Sequence, residues 1–126
     1  MSLTRYARLT AIASTLLACG AAQSHHSSAM FDKDTVREVR AVVREFQWTN
    51  PHVWIQVLIP DENGEPQEWS IEGGGPNTLF RNGWRRDSFK PGQEITIRFN
   101  PMRDGSPAGG FIGAKFGDGS MLGRWE

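Results

Sequence analysis

Three histidines are the residues of this sequence best suited to binding a metal ion. His25 and His26 are adjacent and follow a run of small residues, and His52 is the third. If the chain were cut after Ser24, the free α-amine and the Nδ1 atom of His25 would chelate one Cu(II) ion, because nitrogen-rich tetragonal sites suit that ion. The imidazole of His26 or His52 would then supply a further nitrogen. The histidines therefore predict a copper site that exists only if one peptide bond is cleaved.

Two other interpretations of these residues stay open. The paired histidines also fit a solvated polar leader, because the first residues of a domain are usually poorly ordered. Met30, Met102 and Met121 would offer soft ligands to Cu(I), although their spacing forms no motif and scattered methionines are commonly packing material. The cofactor suggested by the sequence is accordingly copper or none.

A second group of candidate binding residues surrounds His52 in the segment WTNPHVW. Asn50 is pushed out of the helical region by the proline after it, which predicts a tight turn between the first two strands. His52 and Trp54 are two residues apart, so an extended strand places them on one face, where they would stack a sugar ring, a peptide or an aromatic partner. The alternative is that Trp48 and Trp54 close the end of a barrel while His52 bonds a loop carbonyl, since tryptophans are usually well buried.

Two adjacent arginines are candidates for binding an anion. Arg85 and Arg86 precede Asp87 in the segment GWRRDS, and two guanidinium groups side by side would hold a carboxylate or phosphate. The alternative is a local ion pair between arginine and aspartate that fixes the loop. The glycines at 73–75 lack the Lys-Ser/Thr and the dinucleotide spacing of phosphate-binding loops.

Neither the motifs nor the charge of the chain indicates an enzyme or a nucleic-acid-binding protein. The sequence contains no Gly-x-Ser-x-Gly and no His-Glu-x-x-His. Basic and acidic residues number 14 each, and two basic residues, Arg5 and Arg8, precede residue 25, so the remainder carries a net charge of −2. A protein that binds a polyanion through bulk electrostatics needs a basic face. We therefore predict a protein that is not an enzyme and does not bind nucleic acid.

The first 24 residues have the pattern of a bacterial export signal. Arg5 and Arg8 lead into the apolar stretch at 9–18, and no acidic residue occurs before Asp32. Ala22 and Ser24 are small residues at the positions that a signal peptidase reads, which predicts cleavage after Ser24. The apolar stretch is about half as long as a membrane-spanning helix and no other long apolar run exists, so we expect no transmembrane segment after cleavage.

A competing processing signal overlaps this one. The segment Leu16-Leu17-Ala18-Cys19 resembles a lipobox, in which Cys19 becomes acylated and anchors the chain to the outer membrane. Because Cys19 is the only cysteine, cleavage after Ser24 would leave a domain without a disulfide in an oxidising compartment. The protein is expected to be periplasmic or secreted, or tethered as an outer-membrane lipoprotein.

These candidate residues must be positioned by secondary structure, and the sequence pattern predicts one small β-domain at 35–126. A polar leader at 25–34 and a signal peptide at 1–24 precede it. Apolar and charged residues alternate in the first segment, 35–48, and the alternation shifts near its end, which predicts a strand with a bulge. PHVWIQVLIP alternates throughout, and the turn DENGEP links it to the strand QEWSIE. Pro76 and Gly83 bracket a short helix whose Leu79 and Phe80 would cap the core.

The final segments EITIRFNP, FIGAKF and SMLGRWE are expected to add two or three strands. Three strands, a short helix and two or three further strands match a small OB-like, partly open β-barrel of five to six strands, in which the helix falls between strands 3 and 4. An immunoglobulin-like sandwich would use about seven strands and no such helix.

The segments HHSSAMFD, WTNPHVWI and GGGPNTLFRNGWRRDSFKPGQEITI, in this order and before a Gly-rich final hairpin, resemble a group of small exported bacterial proteins. The group is called domain of unknown function 6152, and the resemblance covers essentially the whole chain after the signal. It implies export and a β-rich fold but no activity. The residues that match the pattern of the family are His25, His26, Asn50, Pro51, His52, Gly83, Trp84, Arg86, Asp87 and Ser88.

The leading hypothesis is a non-enzymatic periplasmic binding module that holds an unknown small ligand or a periplasmic protein. A periplasmic copper-binding protein that uses an N-terminal histidine is the alternative. A lipid-anchored structural protein is the second alternative. The predicted ligand-binding residues are Trp48, Asn50, His52, Trp54, Arg85 and Arg86, and the predicted metal ligands are His25, His26 and His52.

Overall fold

Six strands and one short α-helix form the part of the chain that the computed structural model describes, residues 28–126. The strands are β1 (Arg37–Gln47), β2 (Trp54–Pro60), β3 (Pro66–Glu72), β4 (Glu94–Pro101), β5 (Ala108–Phe116) and β6 (Met121–Gly123), and helix α1 (Pro76–Arg81) lies between β3 and β4. The predicted signal peptide, Cys19, His25 and His26 lie outside the described residues.

The sheet closes on itself. Its strand order is β3-β2-β1-β4-β5-β6, and β3 also pairs with β5. That closing ladder is parallel and runs from the pair Ser70 and Ala108 to the pair Glu72 and Gly110. Five strands therefore form a closed barrel and β6 extends the sheet beyond β5, which confirms the predicted OB-like barrel with one helix between strands 3 and 4.

Strand β1 changes partner along its length. Its first half pairs with β4 as far as Val42, and its second half pairs with β2 from Val42 onward. The register of the second ladder shifts between Val43 and Glu45, where the sequence predicts a bulge. Beyond the pair Val42 and Leu58 the two strands separate, because β1 continues along β4 while β2 continues along β3 to Pro60.

The core lies inside the barrel and follows the alternation of the strands. In β2 and the residue before it, every second side chain is buried, and the side chains between them are only partly covered. Burial of these branched side chains stabilises the domain, which has no disulfide within residues 28–126. The largest fully buried side chains are Val43, Val53, Ile55, Val57, Ile71, Ile97 and Phe99.

Helix α1 contributes fewer buried residues to the core than the sequence predicts. Pro76 occupies its first turn and Gly83, with φ +91°, follows its end, as predicted. Leu79 is buried, but Phe80 is 55% exposed, so the prediction that Phe80 caps the core is wrong. Successive helical residues point about 100° apart, so a six-residue helix turns only a narrow stripe toward the core. Trp84, from the loop after the helix, is the aromatic residue of this segment that belongs to the core.

The first described residues lie against the loop between β4 and β5. Phe31 forms a bridge with Met102, and the backbone N–H of Asp32 donates to the carbonyl of Pro101 at 2.8 Å. The N–H of Arg103 donates to the carbonyl of Met30 at 2.9 Å. Among residues 28–126, no helix has the length and hydropathy needed to cross a membrane.

Candidate functional site

The outward face of β2 carries the two residues that the sequence singles out for binding. His52, Trp54, Gln56 and Leu58 are all partly exposed, and they alternate with buried residues that point into the barrel. The extended backbone therefore places His52 and Trp54 on one face, as their spacing predicts.

Trp54 is flanked by polar residues on both neighbouring strands. Its cross-strand partners are Gln47 on β1 and Glu72 on β3. Paired residues of adjacent strands share a face and lie about 5 Å apart, so both side chains border the indole ring. Trp54 is not among the residues packed against the core, and within residues 28–126 it has no aromatic neighbour. Its ring is therefore a partly exposed aromatic surface with a polar border.

Trp48 has a different environment. Its ring meets Phe46 edge-on with the ring centres 5.9 Å apart, and it packs against the core. Trp48 therefore closes the end of the barrel, which was the alternative interpretation of this tryptophan, and it lies outside the face that carries Trp54.

His52 is held by a carboxylate. Its Nδ1 atom lies 2.6 Å from Oε1 of Glu72, and the two side chains are 37% and 12% exposed. The hydroxyl of Thr49 donates to the backbone carbonyl of His52 at 2.8 Å, which fixes the end of the turn. The contact at Nδ1 orients the imidazole and leaves Nε2 as its second binding position. Asn50 is exposed in the same turn, two residues before His52.

A chain of side-chain hydrogen bonds crosses the same three strands. The amide nitrogen of Gln56 donates to Oε1 of Gln47 at 3.2 Å, and the hydroxyl of Ser70 donates to Oε1 of Gln56 at 2.6 Å. These bonds hold the glutamine amides in fixed orientations beside Trp54. We call the set of Gln47, His52, Trp54, Gln56, Ser70 and Glu72 the Trp54 face.

Four members of the Trp54 face were not predicted from the sequence. Gln47, Ser70 and Glu72 reach it through the registers of β1 and β3 against β2, and those registers depend on long-range pairing, whereas Gln56 lies on β2 itself, two residues after Trp54. The available signal was the alternation of QEWSIE, in which Ser70 and Glu72 share a parity opposite to the apolar residues.

The two arginines after α1 do not form the predicted anion site as a pair. Nη1 of Arg85 donates to the carbonyls of Phe80 at 3.1 Å and Trp84 at 2.7 Å, and its guanidinium group lies 4.2 Å from the ring centre of Phe80. Arg85 therefore binds the carboxyl end of the helix, where its charge also suits the helix dipole. Arg86 is exposed, and within residues 28–126 Asp87 forms no ion pair, so the alternative arginine–aspartate contact is absent there as well.

Comparison with known proteins gives one family. The model of a family described as "Family of unknown function (DUF6152)" matches residues 13–111, most of the chain. The chain belongs to this family. The DUF6152 match includes the whole Trp54 face, α1 and the loop that carries Arg85 and Arg86, and it confirms the resemblance found in the sequence.

No curated protein matches the sequence. Among solved structures, this DUF6152 chain is similar to one described as the crystal structure of mitochondrial single-stranded DNA binding proteins from S. cerevisiae, Rim1 (Form2). The likeness has a TM-score of 0.48 and 8% identity, and it covers 72% of this chain and 96% of that one. Similarity at this level carries no weight for the function of the DUF6152 protein.

The predicted copper ligands of this DUF6152 chain are only partly within the described residues. His25 and His26 lie outside them, and His52 bonds Glu72. Residues 28–126 contain no group of three or more His, Cys, Asp or Glu side chains placed to hold a metal ion. Met30 and Met102 lie in neighbouring segments, whereas Met121 lies on β6, opposite Lys115 of β5. Copper binding therefore stays a prediction.

Proposed function

We propose that the protein is a non-enzymatic, exported binding module that holds its ligand on the Trp54 face. The observation that supports the proposal is the placement of Trp54, whose partly exposed ring lies outside the core between Gln47 and Glu72. A partly exposed tryptophan bordered by fixed polar groups is a common arrangement at binding surfaces, because the ring contributes apolar area at a low cost in side-chain entropy.

The border of the ring favours a ligand with a flat apolar surface and a polar edge. Two amides, the hydroxyl of Ser70 and the carboxylate of Glu72 offer both donors and acceptors, and the face contains no lysine or arginine. These groups suit a neutral, hydroxyl-rich molecule such as a sugar ring better than an anion. A periplasmic protein that presents a peptide segment is the second class of partner.

The contacts of Ser70 favour binding over catalysis at this face. A histidine paired with a carboxylate is part of many hydrolytic sites, and those sites add a hydroxyl or thiol nucleophile bonded to the histidine. Here the hydroxyl of Ser70 donates to Gln56 instead of His52. The pair of His52 and Glu72 therefore has no activated nucleophile within the Trp54 face.

A titration followed by NMR tests the proposal. The exported protein is labelled with ¹⁵N and titrated separately with monosaccharides, oligosaccharides and short peptides. We expect saturable shifts in the backbone amides of the Trp54 face and in the indole N–H of Trp54. Saturable binding whose shifts lie elsewhere, or no binding by either class of compound, would contradict the proposed function.

A pair of tryptophan variants shows whether the ring itself binds. Trp54→Ala removes the stacking surface and is expected to raise the Kd for the identified ligand about 5- to 150-fold, since stacking on an aromatic ring is worth about 1–3 kcal/mol. Trp125→Ala is the matched control, because Trp125 lies under Arg98 and Lys115 on the side of β4 and β5. Equal loss of affinity in both variants would count against the assignment.

A further inference from the structure

A groove of about 480 Å³ opens where β1 leaves β2. The ladder between these strands stops at the pair Val42 and Leu58, whereas β2 and β3 stay paired as far as Pro60 and Pro66. One wall of the groove is therefore the hairpin of β2 and β3, and the other is formed by β1, β4 and β5. Its volume is within the range of small-molecule sites, about 300–1,000 Å³.

The floor of the groove is apolar. Val42 and Leu58 lie side by side on the outward face of the sheet, where soluble proteins usually place polar residues. Pro60 and Pro66 continue this surface along the hairpin. An apolar chain laid over these four side chains would remove them from water, which favours binding in proportion to the area covered.

One end of the groove is positively charged. Arg40, Thr96 and Lys115 form a row across three neighbouring strands, because Arg40 pairs with Thr96 and Thr96 pairs with Lys115. Two strand spacings separate the cations, so their Cα atoms lie about 10 Å apart with a hydroxyl between them. Glu94 is the only carboxylate of the lining, which leaves one positive charge in excess.

Neither cation is neutralised by an ion pair within residues 28–126. The ion pairs there join Arg44 to Glu68 and Arg98 to Glu38, and the imidazole of His52 contacts Glu72. Lys115 contacts the ring of Trp125, with its ammonium group 4.6 Å from the ring centre. Neither cation is therefore held by a carboxylate within these residues, and a carboxylate that enters the groove would compete only with the ring of Trp125 for Lys115.

We propose that this groove binds an amphiphilic monoanion, a molecule with one carboxylate and an unbranched apolar chain. The carboxylate lies between Arg40 and Lys115 and accepts a hydrogen bond from Thr96. The chain covers Val42 and Leu58 and runs toward the two prolines. Charge complementarity at one end and the apolar floor at the other select this class over a free inorganic anion or a neutral lipid. The site adjoins the Trp54 face, since Leu58 follows Gln56 on the outward side of β2, but it shares no residue with that face and does not depend on its function.

Three eight-carbon probes that differ in their head group, and acetate, which lacks the apolar chain, test the class of ligand. The exported protein is titrated with octanoate, 1-octanol, octylamine and acetate, and binding is followed by calorimetry and by ¹⁵N amide shifts. Octanoate is expected to bind, with shifts at Val42, Leu58, Thr96 and Lys115. Octanol is expected to bind about tenfold more weakly, because it lacks the charge-assisted hydrogen bonds, and acetate and octylamine are expected not to saturate. Equal binding of octanoate and octanol, or shifts outside the groove, would overturn the proposal.

Variants separate the groove from the Trp54 face. Arg40→Gln is expected to weaken octanoate binding about tenfold and to leave octanol unchanged, and Arg40→Lys is expected to restore most of the loss. Leu58→Thr is expected to weaken both probes. Arg44→Gln is the matched control, because Arg44 also lies on β1 but pairs with Glu68 outside the lining.

The Trp54→Ala variant distinguishes this proposal from the proposed function. Octanoate binding that survives in Trp54→Ala supports a separate site, even if no ligand of the Trp54 face is found. Octanoate binding that is lost in Trp54→Ala but kept in a folded Arg40→Gln variant would place the probe on the Trp54 face and refute the groove. Thermal unfolding of each variant confirms that it is folded.

Discussion

Trp48 and Trp54 have opposite environments although the same turn joins them. Trp48 packs against the core beside Phe46, and Trp54 lies outside the barrel between Gln47 and Glu72. The bulge in β1 shifts the alternation of inward and outward side chains, and this shift sets which residues at the end of the strand point into the barrel. The chemistry of a side chain thus limits what it can bind, and the register of its strand determines whether the side chain is accessible.

The contact between His52 and Glu72 gives a prediction at the scale of the residue. Glu72→Gln removes the carboxylate that orients the imidazole, so we expect weaker ligand binding at the Trp54 face. The free energy of unfolding is expected to fall by less than about 1 kcal/mol, because the histidine is 37% exposed and polar contacts of partly exposed side chains contribute little. Urea unfolding and ligand titration measure the two effects.

Glu68→Gln provides the control for that variant. Glu68 also accepts from a basic side chain, Arg44 at 2.8 Å, and both partners are well exposed. We expect no change in ligand affinity and a similarly small change in stability. If Glu72→Gln and Glu68→Gln behave alike in the ligand titration, His52 does not need its carboxylate for binding.

Three aspartates that close turns predict how stability depends on pH. The pKa of Asp104 is below its ordinary value, first because the Ser106 hydroxyl donates to it and then because the Ser106 backbone N–H does. Asp118 has the same contacts with Ser120, and the pKa of Asp32 is lowered chiefly by Thr35. A pKa that is lower in the folded state contributes stability above the unfolded pKa and loses it as the pH falls through the folded pKa.

Stability is therefore expected to decrease once the pH falls below about 4. Urea unfolding of the wild type and of Asp104→Asn across pH 2 to 7 measures this, and the variant is expected to show a shallower decrease. All three carboxylates are exposed, so the slopes are small and several scans are needed for each protein. Identical pH profiles for the two proteins would contradict the assigned role of Asp104.

At the scale of the element, the closing ladder between β3 and β5 depends on close approach of the backbone. Gly109 pairs with Ile71 in that ladder. A Cβ atom at this position would meet the ring of Phe99 and lie 2.7 Å from the carbonyl oxygen of Asn100. The ring is fully buried and cannot move aside freely, so only glycine fits.

We expect Gly109→Ala to lower the free energy of unfolding by about 1–3 kcal/mol, the usual cost of overpacking a core. Gly117→Ala is the matched control, because a Cβ there meets nothing within 4 Å and the residue is exposed. Chemical unfolding followed by fluorescence compares the two variants. A smaller loss for Gly109→Ala than for Gly117→Ala would show that the closing ladder tolerates a side chain.

The elements differ in how far the sequence predicts them. The alternation in β2 and the proline and glycine that bracket α1 are local signals, and the structure agrees with both. The burial of Trp84 and the exposure of Phe80 were not predictable, because both depend on the orientation of α1 relative to the barrel. The change of partner along β1, and the placement of Gln47, Ser70 and Glu72 on the Trp54 face, also required pairing between distant segments.

At the scale of the whole molecule, processing of the first residues decides which proposals apply in the cell. We expect the intact mass of the protein produced in a bacterial host to correspond to a chain that begins at His25, since the sequence of residues 1–24 predicts an export signal cleaved after Ser24. A Cu(II) titration of that product by calorimetry then tests the predicted copper site. A diacylglycerol mass on Cys19 would instead identify a lipoprotein and would exclude the free amine of His25 as a ligand.

The change of partner along β1 gives this strand a role in cooperativity. β1 joins the hairpin of β2 and β3 to the hairpin of β4 and β5, and both ladders use the backbone of Val42. Neither half can open by itself without breaking one of these ladders. We expect the amides at the centre of β1 to exchange with solvent deuterium only through global unfolding, and those of β6 to exchange through local opening. Because β1 contributes residues to both proposed binding surfaces, it couples their stability, so a ligand bound to either one slows exchange of the amides that open only through global unfolding.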